Sequence, residues 1–226
     1  MLIAFECVAR TASACVVEDG REVAYADLAG AEAEKSLVPL LDGLVRAHGV
    51  PSALALATGP GSFTGLRIGA VTARTLAWLE KIPVFCVDTL CARAAEAGDG
   101  LWWVLLPLKR DTTFHGLFEV INGQVITLEK TQASDDATVP VLHPRTIDAV
   151  AIGTALATKP QLATTWCPGI RLGDTGPLTA RGVARVAAQY PAVTWDRVLP
   201  AYHQLSAPEI QRAQAQKDQT IMENTR

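Results

Sequence analysis

The start of the chain carries short apolar runs of strand length. Residues 2–7 and 12–17 are apolar and partly β-branched, which favours strands. A third run at 23–26 follows Asp19-Gly20, a pair preferred in two-residue hairpin turns. The pattern therefore predicts a meander of three strands.

The next apolar pattern has helical spacing. Its members recur at steps of three and four and form one stripe, made of Leu37, Leu40, Leu41, Leu44, Val45 and His48. Pro39 lacks a backbone donor, so the helix either begins at Ser36, with that residue as its cap, or bends at the proline. His48 is interpreted as a histidine near the helix C-terminus rather than as a ligand.

A glycine-rich stretch at 57–69, Ala-Thr-Gly-Pro-Gly-Ser-Phe-Thr-Gly-Leu-Arg-Ile-Gly, follows an apolar run at 53–57 and precedes a longer apolar segment. This order predicts a strand-to-helix turn. Such a turn directs unpaired N–H groups at an anion or another chain's backbone, or it simply closes a helix onto a sheet. A Walker loop is excluded because Leu66-Arg67 stands where that motif has Lys and Ser or Thr.

Within this turn each residue type has a local role. The turn residues are Gly59, Pro60, Gly61, Ser62, Thr64 and Gly65. We expect Gly59 and Gly61 to permit positive φ, and Ser62 or Thr64 to cap the new helix.

The helix after the turn has an unusual spacing of small residues. Gly65, Gly69, Ala73 and Ala77 recur every four residues and leave one side of the helix almost without side chains. Either this strip lies on the helix's own sheet, or a second helix comes close. A different face, carrying Arg67, Val71, Arg74 and Trp78, is the candidate for meeting a partner's helix.

The second half of the chain begins like the first. Gly-Asp-Gly at 98–100 is the candidate domain boundary, and Asn122-Gly123 is a second hairpin turn. The predicted strands are 82–87, 102–108, 113–121, 125–128 and 149–152, and the predicted helices are 89–97 and 178–189. Residues 132–138 are expected to form an exposed loop, and the residues from Ser206 onwards form a polar tail.

Composition narrows the class of protein. The chain has 226 residues, 49% of them hydrophobic, which is enough for one large or two small domains. Its net charge of −3 argues against a protein that binds nucleic acid on its own. The five cysteines lack CxxC spacing and predict reduced, mostly buried thiols in a cytosolic protein. No apolar run reaches membrane-spanning length, and the apolar start before Glu6 is too short for a signal peptide.

Catalytic constellations are not recognisable in the sequence. Glu6 could orient a metal-bound water, but its hairpin has no glycine, and a strand-end carboxylate is the plainer interpretation. The four histidines are scattered, Ser62 lacks GxSxG spacing, and Lys109-Arg110-Asp111 is typical of a solvated turn. We therefore expect no catalytic residue, metal or cofactor.

Residues 59–69 resemble the signature of the TsaB family, bacterial partners of the TsaD enzyme in making threonylcarbamoyladenosine on tRNA. The resemblance covers roughly residues 1–205. It implies a two-lobed α/β fold of the actin-like ATPase (ribonuclease H-like) type, each lobe a mixed sheet with helices and the second lobe reduced. The lobes are expected at 1–99 and 100–205, and the polar tail at 206–226.

The resemblance also implies a function. Such a protein is a cytoplasmic, non-catalytic scaffold that binds TsaD through helices of its first lobe, is joined by the TsaE ATPase, and meets tRNA only within the complex. A homodimer through the same surface is a further expectation. The partner-binding candidates are Leu37, Leu40, Leu41, Leu44, Arg67, Gly69, Val71, Ala73, Arg74 and Trp78.

The chain departs from the family pattern at three places. Glu6-Cys7-Val8 replaces Asp-Thr-Ser, Lys35-Ser36 replaces His-Ser, and Tyr202-His203-Gln204 replaces a Tyr-hydrophobic-Arg motif. The chain is therefore similar to a divergent TsaB. The alternative hypothesis is an enzyme acting alone, either a small actin-like ATP-dependent phosphotransferase or a glycoprotease-like peptidase.

Overall fold

The computed structural model of the chain describes residues 1–9, 12–28 and 33–202, with the side chains of residues 33 and 34 excepted. Its strands in chain order are β1 (Leu2–Glu6), β2 (Ser13–Glu18), β3 (Arg21–Asp27), β4 (Ala53–Gly59), β5 (Val84–Asp88), β6 (Gly100–Lys109), β7 (Thr112–Ile121), β8 (Gln124–Asp135), β9 (Val150–Ile152), β10 (Arg171–Leu172) and β11 (Ala192–Val193). The α-helices are α1 (Ala33–His48), α2 (Phe63–Glu80), α3 (Thr89–Ala97), α4 (Ala155–Thr158), α5 (Leu162–Trp166) and α6 (Ala180–Val186). Short 3-10 helices span Pro144–Asp148, Ala187–Gln189 and Trp195–Arg197.

The first sheet has six strands in the order β11-β5-β4-β1-β2-β3. β1, β2 and β3 form the predicted antiparallel meander, whereas β4 and β5 run parallel to β1. Asp19 and Gly20 join β2 to β3 with φ of 48° and 75°, which is the backbone of the expected hairpin turn.

The helix α1 contains Pro39 in its interior. Of the two alternatives for this helix, the one in which it begins at Ser36 is therefore wrong. A proline in a helix interior costs about 3 kcal/mol. Burial of Leu37, Leu41 and Leu44 against the sheet contributes about 1.5–3 kcal/mol for each side chain and outweighs that cost. The helix therefore tolerates the proline because three leucines face the core.

The second sheet has five strands in the order β10-β9-β6-β7-β8. β6, β7 and β8 form an antiparallel meander, with Asn122 and Gly123 at φ of 50° and 74° in the predicted turn. β8 continues to Asp135, so the expected loop at 132–138 is wrong in its first four residues. The reason is long-range pairing with β7, which ends at the pair Thr112 and Asp135.

After the second sheet the chain returns to the first one. α6 packs on α3, β1 and β2, and β11 then pairs with β5 at the sheet edge. α6 begins at Ala180 with Thr179 as its cap, later than the expected start at 178. The boundary at 98–100 separates the two sheets, but α6 and β11 pack with the first one, so sheet membership does not follow the chain strictly.

The buried apolar residues in the described ranges form three hydrophobic clusters. One lies between the first sheet and helices α1 and α2, one between the two sheets around α3 and α6, and one in the second lobe around Trp103 and Trp166. Within the described ranges, no helix is both long and apolar enough to cross a membrane.

Candidate partner-binding surface

The glycine-rich turn closes α2 onto the sheet with short contacts. Gly59 ends β4 with φ of 141°, as expected, but Gly61 lies outside the left-handed region. A Cβ on Gly61 would lie 2.8 Å from the Val8 Cβ, so this glycine permits close approach rather than positive φ. Ser62 is the N-cap of α2, and its side chain accepts a hydrogen bond from the Gly65 N–H at 3.4 Å.

The N–H groups of Ser62, Gly65 and Leu66 in this turn are hydrogen-bonded inside the chain. Ser62 N–H donates to the Val8 carbonyl at 2.7 Å, and Leu66 N–H donates to the Ser62 carbonyl at 2.8 Å. These bonds favour the interpretation of a turn that closes a helix onto its sheet. Thr64 lies exposed beside it.

The strip of small residues is the side of α2 that packs on the first sheet. A Cβ on Gly65 would stand 1.9 Å from the Cys7 carbonyl oxygen, and one on Gly69 would stand 2.7 Å from the Cys7 Sγ. Ala73 and Ala77 are fully buried. Gly69 and Ala73 therefore serve the contact between helix and sheet, and neither one faces outward.

The opposite side of α2 is exposed and partly apolar. Val71 is 62% and Trp78 is 60% exposed, with Arg67 exposed and Arg74 half-buried on the same side. A large exposed tryptophan beside arginines is typical of interaction surfaces. We call these four residues, together with the exposed residues of α1 given next, the α1/α2 face.

On α1 the predicted partner residues divide by burial. Leu37, Leu41 and Leu44 are buried in the core and cannot reach a partner, and Leu40 is half-buried. The physical reason is the same stripe that predicted the helix, because an apolar stripe packs first on its own sheet. The outward side instead carries Val38, 61% exposed, and the exposed pair Asp42 and Arg46, whose side-chain atoms lie 2.8 Å apart.

A C-terminal segment borders α2, which sequence reasoning missed. We call residues 195–202 the strap. Ala201 N–H donates to the Thr58 carbonyl at 2.8 Å, and Val198 is fully buried. Trp195 is 40% and Tyr202 48% exposed, and both lie beside arginines of α2. The strap carries no periodic signal, because its position depends on contacts with residues far away in the chain.

Glu6 is a buried carboxylate at the end of β1. One oxygen accepts from the Ser13 hydroxyl at 2.8 Å and the other from the Val8 N–H at 3.1 Å. Burial raises the pKa of Glu6 to about 7, although these two hydrogen bonds favour the charged form. Both carboxylate oxygens thus have partners inside the protein. Arg10 and Thr11 of the same hairpin lie outside the described residues.

The other residues that the sequence offered as candidates for chemistry have structural roles. All five cysteines are free thiols, four of them buried, and burial raises the pKa of Cys7 and of Cys15 to about 12. His115 is buried with its Nε2 2.8 Å from the Ser134 hydroxyl, and burial lowers its pKa to about 4. Lys109-Arg110-Asp111 forms the predicted exposed turn. In the part of the chain that the structure describes, no three His, Cys, Asp or Glu residues group as metal ligands. His203 and Gln204 lie outside that part.

Comparison with known proteins gives several matches that agree with one another, and the region matched by the family model includes this surface. A family model described as TsaD, tRNA N6-adenosine threonylcarbamoyltransferase, matches residues 27–101, which include α1, the turn and α2. The Bacillus subtilis (strain 168) protein named tRNA threonylcarbamoyladenosine biosynthesis protein TsaB is 37% identical over 89 residues, covering 37% of this chain and 39% of that protein. Proteins of the same name from Haemophilus influenzae and Escherichia coli K12 are 32% and 31% identical over 100 residues.

The predicted resemblance to TsaB is confirmed. The matched region spans about two fifths of the length of these TsaB proteins. A solved structure described as YeaZ from Pseudomonas aeruginosa superposes with a TM-score of 0.75 at 22% identity, covering 89% of this chain and 98% of that one. A second, described as an uncharacterized protein with similarity to peptidase YEAZ from the same organism, has a TM-score of 0.76 at 21% identity, covering 90% and 99%. The predicted α/β fold, with two mixed sheets and their helices, is confirmed.

Proposed function

We propose that this TsaB-like chain is a non-catalytic subunit that binds a TsaD-type threonylcarbamoyltransferase through the α1/α2 face. In this role it supports formation of threonylcarbamoyladenosine on tRNA. The observation that carries the proposal is the exposure of Val38, Val71 and Trp78 on two neighbouring helices. Within the region matched by the TsaD family model, these are large apolar side chains that the fold itself does not bury.

The scaffold acts by shifting the partner's population towards its competent state, which needs no reacting group on this chain. A TsaE-type ATPase joins the assembly, and tRNA is met only within it, in keeping with the net charge of −3. Without a TsaD-type partner, two copies of the chain pair through the same face in the cytoplasm.

Calorimetric titration of the TsaD-type partner into the full-length chain tests the proposal. Val71→Arg replaces an exposed apolar side chain of the face by a charge. We expect it to weaken binding by about 100-fold or more, since burying an unpaired charge at an interface costs several kcal/mol. The control is Ile126→Arg, a comparable change at a half-exposed position on β8 of the second sheet. Equal affinity of the two variants would contradict the proposal.

The alternative of an independent phosphotransferase makes a different prediction. In that case the isolated chain binds ATP and Mg²⁺ with micromolar affinity, and Glu6→Gln abolishes the binding. We expect no such binding, because both Glu6 oxygens are already engaged by Ser13 and Val8.

A further inference from the structure

The two arginines on the outward side of α2 are spaced by one heptad. Arg67 and Arg74 are seven residues apart, as are Val71 and Trp78. Because an α-helix drifts by only about 20° in seven residues, each pair lies in one row along the helix. With a rise of 1.5 Å per residue, the members of a row are about 10.5 Å apart. The face therefore combines a cationic row with an apolar row.

Each arginine contacts an aromatic ring of the strap or its surroundings. The Arg67 guanidinium carbon lies 3.8 Å from the Phe63 ring centroid, and its Nε donates to the Tyr202 hydroxyl at 3.2 Å. The Tyr202 ring in turn packs on Phe63, with centroids 5.1 Å apart. The Arg74 guanidinium carbon lies 6.0 Å from the Trp195 ring centroid.

The strap is itself held in place, so these contacts restrict the arginine side chains before any partner arrives. Val198 and the bond from Ala201 to Thr58 fix the strap between Trp195 and Tyr202. Ordering a flexible side chain on binding weakens affinity by roughly two- to tenfold for each residue. Arginines that are ordered in advance avoid that loss.

We propose that Trp195 and Tyr202 are positioning residues, which hold Arg74 and Arg67 ready for carboxylates spaced one heptad apart on a helix of the TsaD-type partner. This inference rests on the proposed function and names the chemistry of the partner's surface, an acidic and apolar helix. Charge complementarity with the cationic row requires the acidic residues, and Val71 and Trp78 require the apolar ones.

The charges of this chain favour such a partner over a second copy. Packing α2 against the same helix of another copy brings the arginine row of each against the other, and like charges repel. On α1, Asp42 is already paired with Arg46. On the strap, the pKa of Asp196 is lowered, first by a hydrogen bond from Thr194 and also by Arg197 and Arg74. Asp196 thus competes for Arg74. A partner carboxylate must either displace Asp196 from Arg74 or bind Arg74 beside it.

The test is a titration of the TsaD-type partner into wild type, Trp195→Ala, Tyr202→Ala, Trp195→Phe and Tyr202→Phe over a series of NaCl concentrations. Both alanine variants should bind about three- to tenfold more weakly. Their affinity should also depend less steeply on salt, because mobile arginines form weaker ion pairs. Trp195→Phe should restore most of the affinity, since it keeps an aromatic face for Arg74. Arg74→Gln should weaken binding less in the Trp195→Ala background than in wild type.

The outcomes separate the two proposals. If wild type binds and Val71→Arg does not, but the strap variants match wild type in affinity and salt dependence, the positioning role is wrong and the proposed function stands. Wild type that fails to bind contradicts both. Strap variants that weaken a homodimer, with partner binding unchanged, contradict the choice of partner. Thermal unfolding of each variant, Arg74→Gln included, shows whether a loss of binding is only a loss of folding.

Discussion

Gly59 and Ala201 meet backbone to backbone where the strap crosses the glycine-rich turn. A Cβ on Gly59 would lie 2.6 Å from the Ala201 carbonyl oxygen, and the Gly59 φ of 141° is itself unfavourable for other residues. Gly59, the first glycine of the signature stretch, thus packs against the strap in addition to turning the chain. Gly59 therefore links the strap to the start of α2.

Gly59→Ala should therefore destabilise the protein by more than backbone strain alone. Strain at a positive φ costs about 1–3 kcal/mol, and the clash with Ala201 adds to it. The control is Gly49→Ala, which has φ of 92° but no heavy atom within 4 Å of the added Cβ. Urea unfolding should show a clearly larger loss for Gly59→Ala. Equal losses of unfolding free energy in the two variants would mean that the strap does not contact the turn as closely as described.

A second prediction concerns the strip beneath α2. Gly65→Ala places a Cβ 1.9 Å from the Cys7 carbonyl oxygen, so α2 must shift, and we expect a loss of about 3 kcal/mol or more in the free energy of unfolding. Gly69→Leu should be similarly damaging, because of Cys7 and Leu56. By contrast, Gly43→Ala in α1 meets open space and should stabilise by about 0.5–1 kcal/mol. A folded, fully stable Gly65→Ala protein would contradict the packing of the strip.

The third prediction is a pH dependence that originates in Glu6. Its folded pKa of about 7 lies above the ordinary value of 4.5, so between these values the folded state binds more protons than the unfolded state. The contribution of Glu6 is then fully present below pH 4.5 and is lost as the pH rises through 7, by about 3 kcal/mol in total. Glu6→Gln keeps the shape but does not titrate.

The measurement is urea unfolding of wild type and Glu6→Gln across pH 4 to 8. The stability of wild type relative to the variant should fall with rising pH over this window. A constant difference between the two proteins would show that the Glu6 carboxyl titrates normally or faces water.

The sequence predicts best those turns and helix bounds whose physical cause lies within a few residues. The turns at Asp19-Gly20 and Asn122-Gly123 and the bounds of α3 at 89–97 were predicted correctly, because their causes lie within a few residues. Asp88, for example, caps α3 by accepting from the N–H groups of Leu90 and Cys91. The sequence left the start of α1 open, because only the folded chain shows that burial of three leucines outweighs the cost of Pro39 inside the helix.

Longer-range causes were beyond the sequence. The polar end of β8 is a strand only because β7 pairs with it, through contacts such as that of Ser134 with His115. The candidate surface was predicted in part. Exposed Val71 and Trp78 followed from helical spacing, but the strap residues Trp195 and Tyr202 reach α2 only in the folded chain. The roles of Leu37, Leu41 and Leu44 in binding a partner were assigned without knowing that their own sheet covers them.

Reconstituted tRNA modification tests the central claim most directly. The TsaD-type and TsaE-type proteins, the full-length chain, tRNA and the small substrates are combined, and threonylcarbamoyladenosine in the tRNA is quantified by mass spectrometry. The account predicts product with wild type and with Ile126→Arg, and little or none with Val71→Arg or without the chain. Equal product with Val71→Arg and wild type would contradict the claim that the α1/α2 face activates the enzyme.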